Sequence, residues 1–191
     1  MPKIKNSYSS EQKARMDMRT VVRHIIGYII GITVFFMCFP AIIYMIAHYA
    51  NPYVEIHIIG NEYVRLGIVI LFFTVGILFA VWSNIALLVI GKGGPTDAFG
   101  VSISPRTQHL VVKGPYKYTR NPMVFGALMC YLAVALYLDS LVSIIVILAC
   151  IPILILYLKK TEEKRLERDF GTEWLEYKKK VSMLIPLPPR T

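Results

Sequence analysis

Residues 66–90 read LGIVILFFTVGILFAVWSNIALLVI, a run of 25 positions without a charged side chain. A helix needs about 20 apolar residues to cross the hydrocarbon core of a bilayer. The run therefore predicts a membrane-spanning helix and, with it, an integral membrane protein. The composition agrees, since 55% of the 191 residues are hydrophobic.

Three further apolar stretches flank this run. Residues 21–49 form a first predicted span, which Pro40 should kink because proline cannot donate a backbone hydrogen bond. Residues 122–138 and 140–158 form two more, separated only by Asp139, a spacing that predicts a tight helical hairpin. The sequence thus predicts an all-α integral membrane protein with about four transmembrane helices.

The basic residues are distributed unevenly along the chain. Six of the 21 precede His24, five lie within residues 91–120, nine follow Leu158, and Arg65 falls on the opposite side of the predicted spans. The positive-inside rule then predicts that both termini and the 91–120 loop are cytoplasmic. The net charge of +9 indicates membrane lipids as partners, and nucleic acid is not expected.

Composition divides the chain into three parts. Residues 1–20 are polar and predict a cytoplasmic N-terminal segment without the apolar core of a signal peptide. Residues 21–90 hold two transmembrane helices. Residues 91–191 hold a cytoplasmic loop, the hairpin 122–158 and a C-terminal helix with a predicted break at Gly171. The apolar face of that helix would consist of Leu166, Phe170, Trp174, Leu175 and Tyr177.

The polar stretch 110–123, LVVKGPYKYTRNPM, interrupts the apolar runs. Gly114-Pro115 predicts a turn, and Asn121-Pro122 predicts a helix start, with asparagine as the N-cap and proline in the first turn. Arg120 would then lie beside a helix N-terminus, where free backbone N–H groups favour an anion. The alternative interpretation is a connecting loop that carries ordinary cytoplasmic charges.

A second polar motif, TEEKRLERDFGTEW, follows the last span at residues 161–174. Because the hairpin returns the chain to the same membrane face, Arg120 and Asn121 should lie close to Glu162 and Glu163. Carboxylates at that surface would suit the hydroxyl or amino groups of a soluble cofactor. The two glutamates point about 100° apart on a helix, which leaves open that one of them alone contacts it.

The cysteines and histidines predict no metal site. The three cysteines lie within apolar runs, and the four histidines are scattered without a metal-binding spacing.

Together, LVxxGPYxYxRNPM, the hairpin and EExxLxxxFGxEWxxYxxxV resemble the isoprenylcysteine carboxyl methyltransferase and phospholipid methyltransferase superfamily, over about residues 93–186. The resemblance implies an integral membrane enzyme that binds S-adenosylmethionine at the cytosolic face and methylates lipid-like acceptors. It implies catalytic roles for Arg120 and Asn121. The cofactor contacts that it implies are Gln108, His109, Leu110, Val111, Gly114, Tyr116, Arg120, Asn121, Pro122, Glu162 and Glu163.

Two positions depart from the family pattern: Asn121 stands where the family has histidine, and Val124 stands where tyrosine is frequent. Asparagine keeps a hydrogen-bonding side chain but removes a possible acid–base group. A sulfonium methyl is already activated, so the enzyme must mainly align acceptor, carbon and sulfur. A carboxylate acceptor needs no base, whereas an amine must lose a proton.

This chemistry favours an oxygen or sulfur nucleophile, such as a carboxylate or thiolate. The first candidate is O-methylation of a lipophilic carboxylate, as in isoprenylcysteine, with phospholipid or other amine N-methylation as the alternative. From another class, the architecture is also compatible with an NADPH-dependent enzyme similar to sterol reductases, or with a non-catalytic membrane scaffold. NADPH would call for more spans and for additional basic residues at its 2′-phosphate.

Overall fold

The computed structural model describes residues 18, 21–22, 25–54, 56–92 and 107–190, and the backbone of residues 97–98 and 101–102. The predicted N-terminal segment 1–20 thus lies almost wholly outside the described residues, as do residues 93–96, 99–100 and 103–106 of the loop.

Helices make up most of the described chain, which also contains one short β-hairpin. Its helices are α1, Ile25–Tyr53; α2, Glu62–Val89; α3, Pro122–Tyr137; α4, Leu141–Leu158; and α5, Lys164–Lys180. A π-helical turn, Lys159–Glu163, joins α4 to α5. Strands β1, Asp97–Ala98, and β2, Val101–Ser102, pair antiparallel within the loop. The predicted all-α membrane class is confirmed.

Helix α1 departs from α-helical geometry just before Pro40. Residues Val34–Cys38 form a π-helical turn there. Proline has no N–H to donate to the preceding turn, and a wider turn is one way for a helix to accommodate the missing bond. The disruption expected at Pro40 is thus present as a change in the hydrogen-bonding pattern.

Three of the described helical segments are long and apolar enough to cross a membrane: Ile25–Tyr53, Glu62–Val89 and the continuous segment Leu141–Lys180. The last has 40 residues, more than the about 20 that a helix needs to cross the bilayer. Its apolar part ends at Leu158, where Lys159 and Lys160 begin the portion outside the membrane.

Helix α3, which corresponds to the predicted span 122–138, is shorter than the three segments just named. It has 16 residues and extends for about 24 Å. It packs antiparallel to α2, with the rings of Phe125 and Phe79 4.9 Å apart near its start and the Asp139 carboxylate 2.7 Å from Arg65 beyond its end. The C-terminal turns of α2 therefore continue past the start of α3, into the region of the polar loop.

The turn between α3 and α4 is held by Asp139, whose φ of 48° is left-handed. Its carboxylate accepts a hydrogen bond from the Ile58 N–H at 3.0 Å and lies 2.7 Å from both Arg65 Nη1 and His57 Nδ1. The predicted tight hairpin is confirmed. Arg65 is therefore the ion-pair partner of the hairpin turn.

Helices α2 and α3 cross most closely at Gly76 and Gly126. A Cβ at Gly126 would lie 2.6 Å from the Gly76 carbonyl oxygen, and a Cβ at Gly76 would lie 2.5 Å from Cys130 Sγ. Contact between small residues is the usual way for membrane helices to pack, because lipid is as apolar as the side chains. These glycines therefore set the distance between the two helices.

Replacing Gly126 with alanine is expected to lower the stability of the folded protein by about 1–3 kcal/mol, because the added methyl overpacks the helix crossing. The measurement is the melting temperature in detergent. Gly67→Ala is the matched control, since a Cβ at Gly67 meets no atom within 4 Å. Equal melting temperatures for the two variants would contradict the packing assignment.

Helix α5 packs its apolar face against the polar loop. Trp174, Tyr177 and Val181 form a buried cluster, and Leu110, Leu166 and Phe170 pack against it. The predicted break at Gly171 is confirmed by its φ of 53°. Leu175, which the sequence places on the same apolar face, lies outside this cluster and is 39% exposed.

Candidate active site

The polar loop turns toward α2 at Gly114. This residue has a φ of 64° and begins the short 3₁₀ helix Gly114–Lys117, as the Gly-Pro signal predicts. A Cβ here would come 3.2 Å from Trp82 Nε1. Glycine is required both for the left-handed backbone and for this close approach, which holds the loop against the last turns of α2.

The C-terminal residues 181–190, called the tail below, bind the same loop along its other side. Hydrogen bonds fix every residue from 118 to 121. The Leu187 N–H donates to the Tyr118 carbonyl at 3.0 Å, and the Thr119 hydroxyl donates to the Leu184 carbonyl at 2.9 Å. The Arg120 N–H donates to the Ser182 carbonyl, and the Asn121 side-chain amide donates to the Met183 carbonyl, both at 2.9 Å. The tail therefore positions Arg120 and Asn121.

Asn121 is the N-cap residue of α3, and Pro122 follows in the first turn, as predicted. The predicted side-chain cap is wrong, because the Asn121 side chain makes no cap hydrogen bond to the helix. Its amide donates to the tail, at Met183, instead. Tertiary contact has replaced the local hydrogen bond that asparagine usually makes at this position.

Arg120 pairs with Glu163, which confirms the predicted proximity of the two motifs. Glu163 is 4% exposed, and its second oxygen lies 2.7 Å from Lys178 Nζ. The Arg120 guanidinium also lies 5.8 Å from the centre of the Trp174 ring. The buried carboxylate of Glu163 therefore links Arg120, just before α3, to Lys178 near the end of α5.

Beside this ion pair lies a cavity of about 200 Å³. Among the sequence-predicted site residues, those that line it are His109, Leu110, Val111, Tyr116, Asn121, Pro122 and Glu162. Four predicted site residues do not line it: Gln108, Gly114, Arg120 and Glu163. Of these, Gly114 shapes the loop, Arg120 and Glu163 bind each other, and Gln108 is exposed, with its N–H donating to the Gly91 carbonyl at 2.7 Å.

The adjacent glutamates of the π-helical turn have different surroundings. Glu163 faces Arg120 and Lys178, whereas Glu162 faces the cavity. Burial raises the pKa of the Glu162 carboxyl. Burial, followed by the proximity of Tyr177 and Glu162, also raises the pKa of Tyr116. The cavity thus combines a carboxyl group that is a stronger base than usual with a neutral phenol.

Sequence reasoning missed several lining residues. They are Leu87, Thr107, Met123, Val124, Arg165, Leu166, Phe170, Trp174 and Tyr177. Helical spacing could have found Arg165, which lies three residues after Glu162 and hence on the same helix face. Leu87 and Met123 carry no such signal, because a cavity-lining residue of a span resembles any lipid-facing one.

The sequence model of the phospholipid methyltransferase family matches residues 64–173, more than half of the chain. The chain belongs to the phospholipid methyltransferase family. It is therefore an integral membrane methyltransferase whose substrates are of the lipid type, and the reductase and scaffold alternatives are set aside. No curated protein and no solved structure matches the chain.

The family match runs from the start of α2 into α5 and includes the polar loop, the hairpin and both glutamates of the π-helical turn. The tail and Lys178 lie beyond it. This phospholipid methyltransferase family member thus completes the region around Arg120 and Glu163 with contacts from outside the matched segment.

Proposed function

We propose that this protein transfers a methyl group from S-adenosylmethionine to a lipophilic acceptor at the cytoplasmic face of the membrane. The observation that carries the proposal is the cavity, which the polar loop and the C-terminal helix enclose together with Leu87 of α2. The basic residues support the orientation, since those that the structure describes, apart from Arg65, belong to segments on the side of the cavity, and both termini would then be cytoplasmic.

The residues around the cavity fit the methyl donor. Glu162 would accept hydrogen bonds from a ribose hydroxyl or from the amino group of the donor. The aromatic side chains of Tyr116, Phe170 and Trp174 line the same space and offer faces for a purine ring and for the positive sulfonium. When bound, S-adenosylmethionine supplies a methyl group already activated for transfer.

The acceptor side is apolar. Leu87 of α2 and Met123 and Val124 of α3 line the cavity where it meets the spans. An acyl or prenyl chain could therefore remain in the bilayer while its polar end reaches the donor. Alignment of the acceptor with the methyl group, and exclusion of water, are the tasks left to the protein. Asn121 lines the cavity beside this apolar wall and is proposed to orient the reacting group.

Within this class, we favour the amine nitrogen of a phospholipid headgroup as the acceptor. An ammonium group must lose a proton before its nitrogen can attack, and the motifs alone offered no certain base. His109 lines the cavity and carries an imidazole that can accept that proton. His109 would thus supply an imidazole to a site in which Asn121 stands where the family has histidine.

Carboxyl O-methylation of an isoprenylated cysteine is the second candidate. Arg165 lines the same cavity, and a guanidinium binds a carboxylate well through paired hydrogen bonds. Such an acceptor would be ionised at neutral pH and would not require His109. The two candidates therefore differ in whether turnover depends on that imidazole.

The test begins with ligand binding. S-adenosylhomocysteine is expected to raise the melting temperature of the purified protein, and NADPH is not, because a ligand that binds the folded form alone stabilises it. Stabilisation by NADPH alone would overturn the proposal.

The acceptor is tested by incubating the protein with labelled methyl donor and either phosphatidylethanolamine or a farnesylated cysteine analogue. Label is expected in the phospholipid, and His109→Ala should reduce that rate by about 10²-fold, the usual contribution of a general base. Label in the prenylated carboxylate, with no effect of His109→Ala, would establish the second candidate instead.

A further inference from the structure

Two buried N–H donors next to the cavity have no hydrogen-bond acceptor among the residues that the structure describes. One is Nε1 of Trp174, a residue that lines the cavity and is 2% exposed. The other is Nε of Arg120, whose guanidinium lies against the Trp174 ring. Buried donors without a partner are rare in folded proteins and call for an explanation.

The two groups cannot satisfy each other, because both are donors. Nη1 of Arg120 is already committed to Glu163. The missing acceptor therefore lies outside the residues that the structure describes. Since Trp174 lines the cavity, a bound molecule can supply it.

The charges at this end of the cavity favour an anion. Glu163 carries one negative charge and pairs with two positive groups, Arg120 and Lys178. This partly buried cluster therefore keeps one positive charge in excess, with the Arg120 guanidinium 5.8 Å from the centre of the Trp174 ring. In the cavity lining, the guanidinium of Arg165 offsets the carboxylate of Glu162, so the excess of one positive charge remains. In partly buried surroundings such charges are screened less than at the surface.

We propose that the Trp174 end of the cavity is an oxyanion subsite, in which the indole N–H, backed by the positive charge of Arg120, donates to a carboxylate or phosphate oxygen of a bound ligand. The proposal rests on the proposed function, because it assigns a polar contact within the same cavity. The oxygen belongs either to the α-carboxylate of the methyl donor or to the headgroup of the lipid acceptor. Trp174 thereby becomes a ligand-binding residue as well as a packing residue.

The test removes the N–H and keeps the ring. Trp174→Phe does so approximately, and Trp174→benzothienylalanine does so with a matched bicyclic shape in which sulfur replaces the N–H. Both are compared with the natural protein for the affinity of S-adenosylhomocysteine and of 5′-methylthioadenosine, which lacks the amino-acid part. The lipid arm measures KM for phosphatidylethanolamine in mixed micelles. Melting temperatures of the unliganded variants establish that they fold.

If the donor carboxylate occupies the subsite, both variants bind S-adenosylhomocysteine about 10- to 100-fold more weakly, the usual effect of losing a hydrogen bond to a charged group, and bind 5′-methylthioadenosine normally. If the lipid headgroup occupies it, both nucleosides bind normally and KM for the lipid rises about tenfold. Either result supports the subsite.

Three results would overturn it. Unchanged affinities and KM would mean that water satisfies the indole. Equal weakening of both nucleosides would place the contact on the adenosine part, which carries no oxyanion. Weaker ligand binding in Trp174→Phe, with normal binding in the benzothienylalanine variant, would show that the Trp174 side chain contributes packing and not a hydrogen bond. A natural protein that binds no S-adenosylhomocysteine would instead defeat the proposed function, so the two failures can be told apart.

Discussion

Replacing Glu163 with alanine is expected to lower the free energy of unfolding by about 3–5 kcal/mol, the usual effect of removing one partner from a buried ion pair. The carboxylate neutralises Arg120, whose side chain is 9% exposed, and Lys178, which can turn toward water more easily because it is 37% exposed. Without Glu163, Arg120 would be left as an uncompensated buried charge. Chemical unfolding in detergent micelles measures the effect, and methyl transfer should be lost with it.

Glu167→Ala provides the matched control, because Glu167 is exposed on the same helix and substitutions at such positions usually change stability by less than about 0.5 kcal/mol. A double variant, Arg120→Met with Glu163→Leu, removes both charges of the pair. It should regain much of the lost stability and remain inactive, because the cavity wall at Trp174 lacks the Arg120 guanidinium. If Glu163→Ala unfolds no more easily than Glu167→Ala, the ion pair between Arg120 and Glu163 does not stabilise the fold.

Replacing Glu162 with glutamine is expected to weaken binding of the methyl donor by about 10- to 100-fold, because a charged acceptor forms stronger hydrogen bonds than an amide. The same variant should be at least as stable as the natural protein. Since the pKa of Glu162 is higher in the folded chain, its ionised form opposes folding at pH values above that pKa. Neighbouring glutamates are thus expected to give opposite effects on stability.

The pH dependence gives an independent measurement of the same group. Donor binding should decrease as the pH falls through the raised pKa of Glu162, which lies above the usual carboxyl value, and this decrease should disappear in Glu162→Gln. Calorimetric affinities for S-adenosylhomocysteine between pH 4.5 and 8 would show it. An unchanged acid limb in the variant would assign the titration to another group and remove Glu162 from the donor site.

Periodicity and charge were sufficient to predict most of the architecture. The uncharged run 66–90 and the single aspartate at position 139 predict the spans and the hairpin, because long apolar helices are stable only in lipid and a charge must lie outside it. The hairpin in turn predicts that Arg120 meets the glutamates. What local patterns could not predict is which element fills each hydrogen bond, as the Asn121 side chain illustrates by binding the tail instead of its own helix.

The candidate site was predicted in outline but not in its division of roles. The family resemblance implied seven of the lining residues, yet it could not separate Glu162 from Glu163, since adjacent carboxylates are equivalent until their neighbours are known. It also assigned Trp174 to packing, because an aromatic residue on an apolar face carries no sign that its N–H lacks an acceptor. Such information depends on three-dimensional contacts between segments distant in sequence.

The π-helical turn at Lys159–Glu163 has a consequence for how this chain can change. A π turn holds one more residue than an α turn, so losing a single codon there could convert it to regular helix without breaking the chain's continuity. Because only the surplus residue of the turn is lost, the later side chains, Trp174 and Lys178 among them, would keep their direction toward Arg120. A single-residue deletion between positions 159 and 161 should therefore be better tolerated than one within Lys164–Lys180, where the side chains that follow would rotate by about 100°.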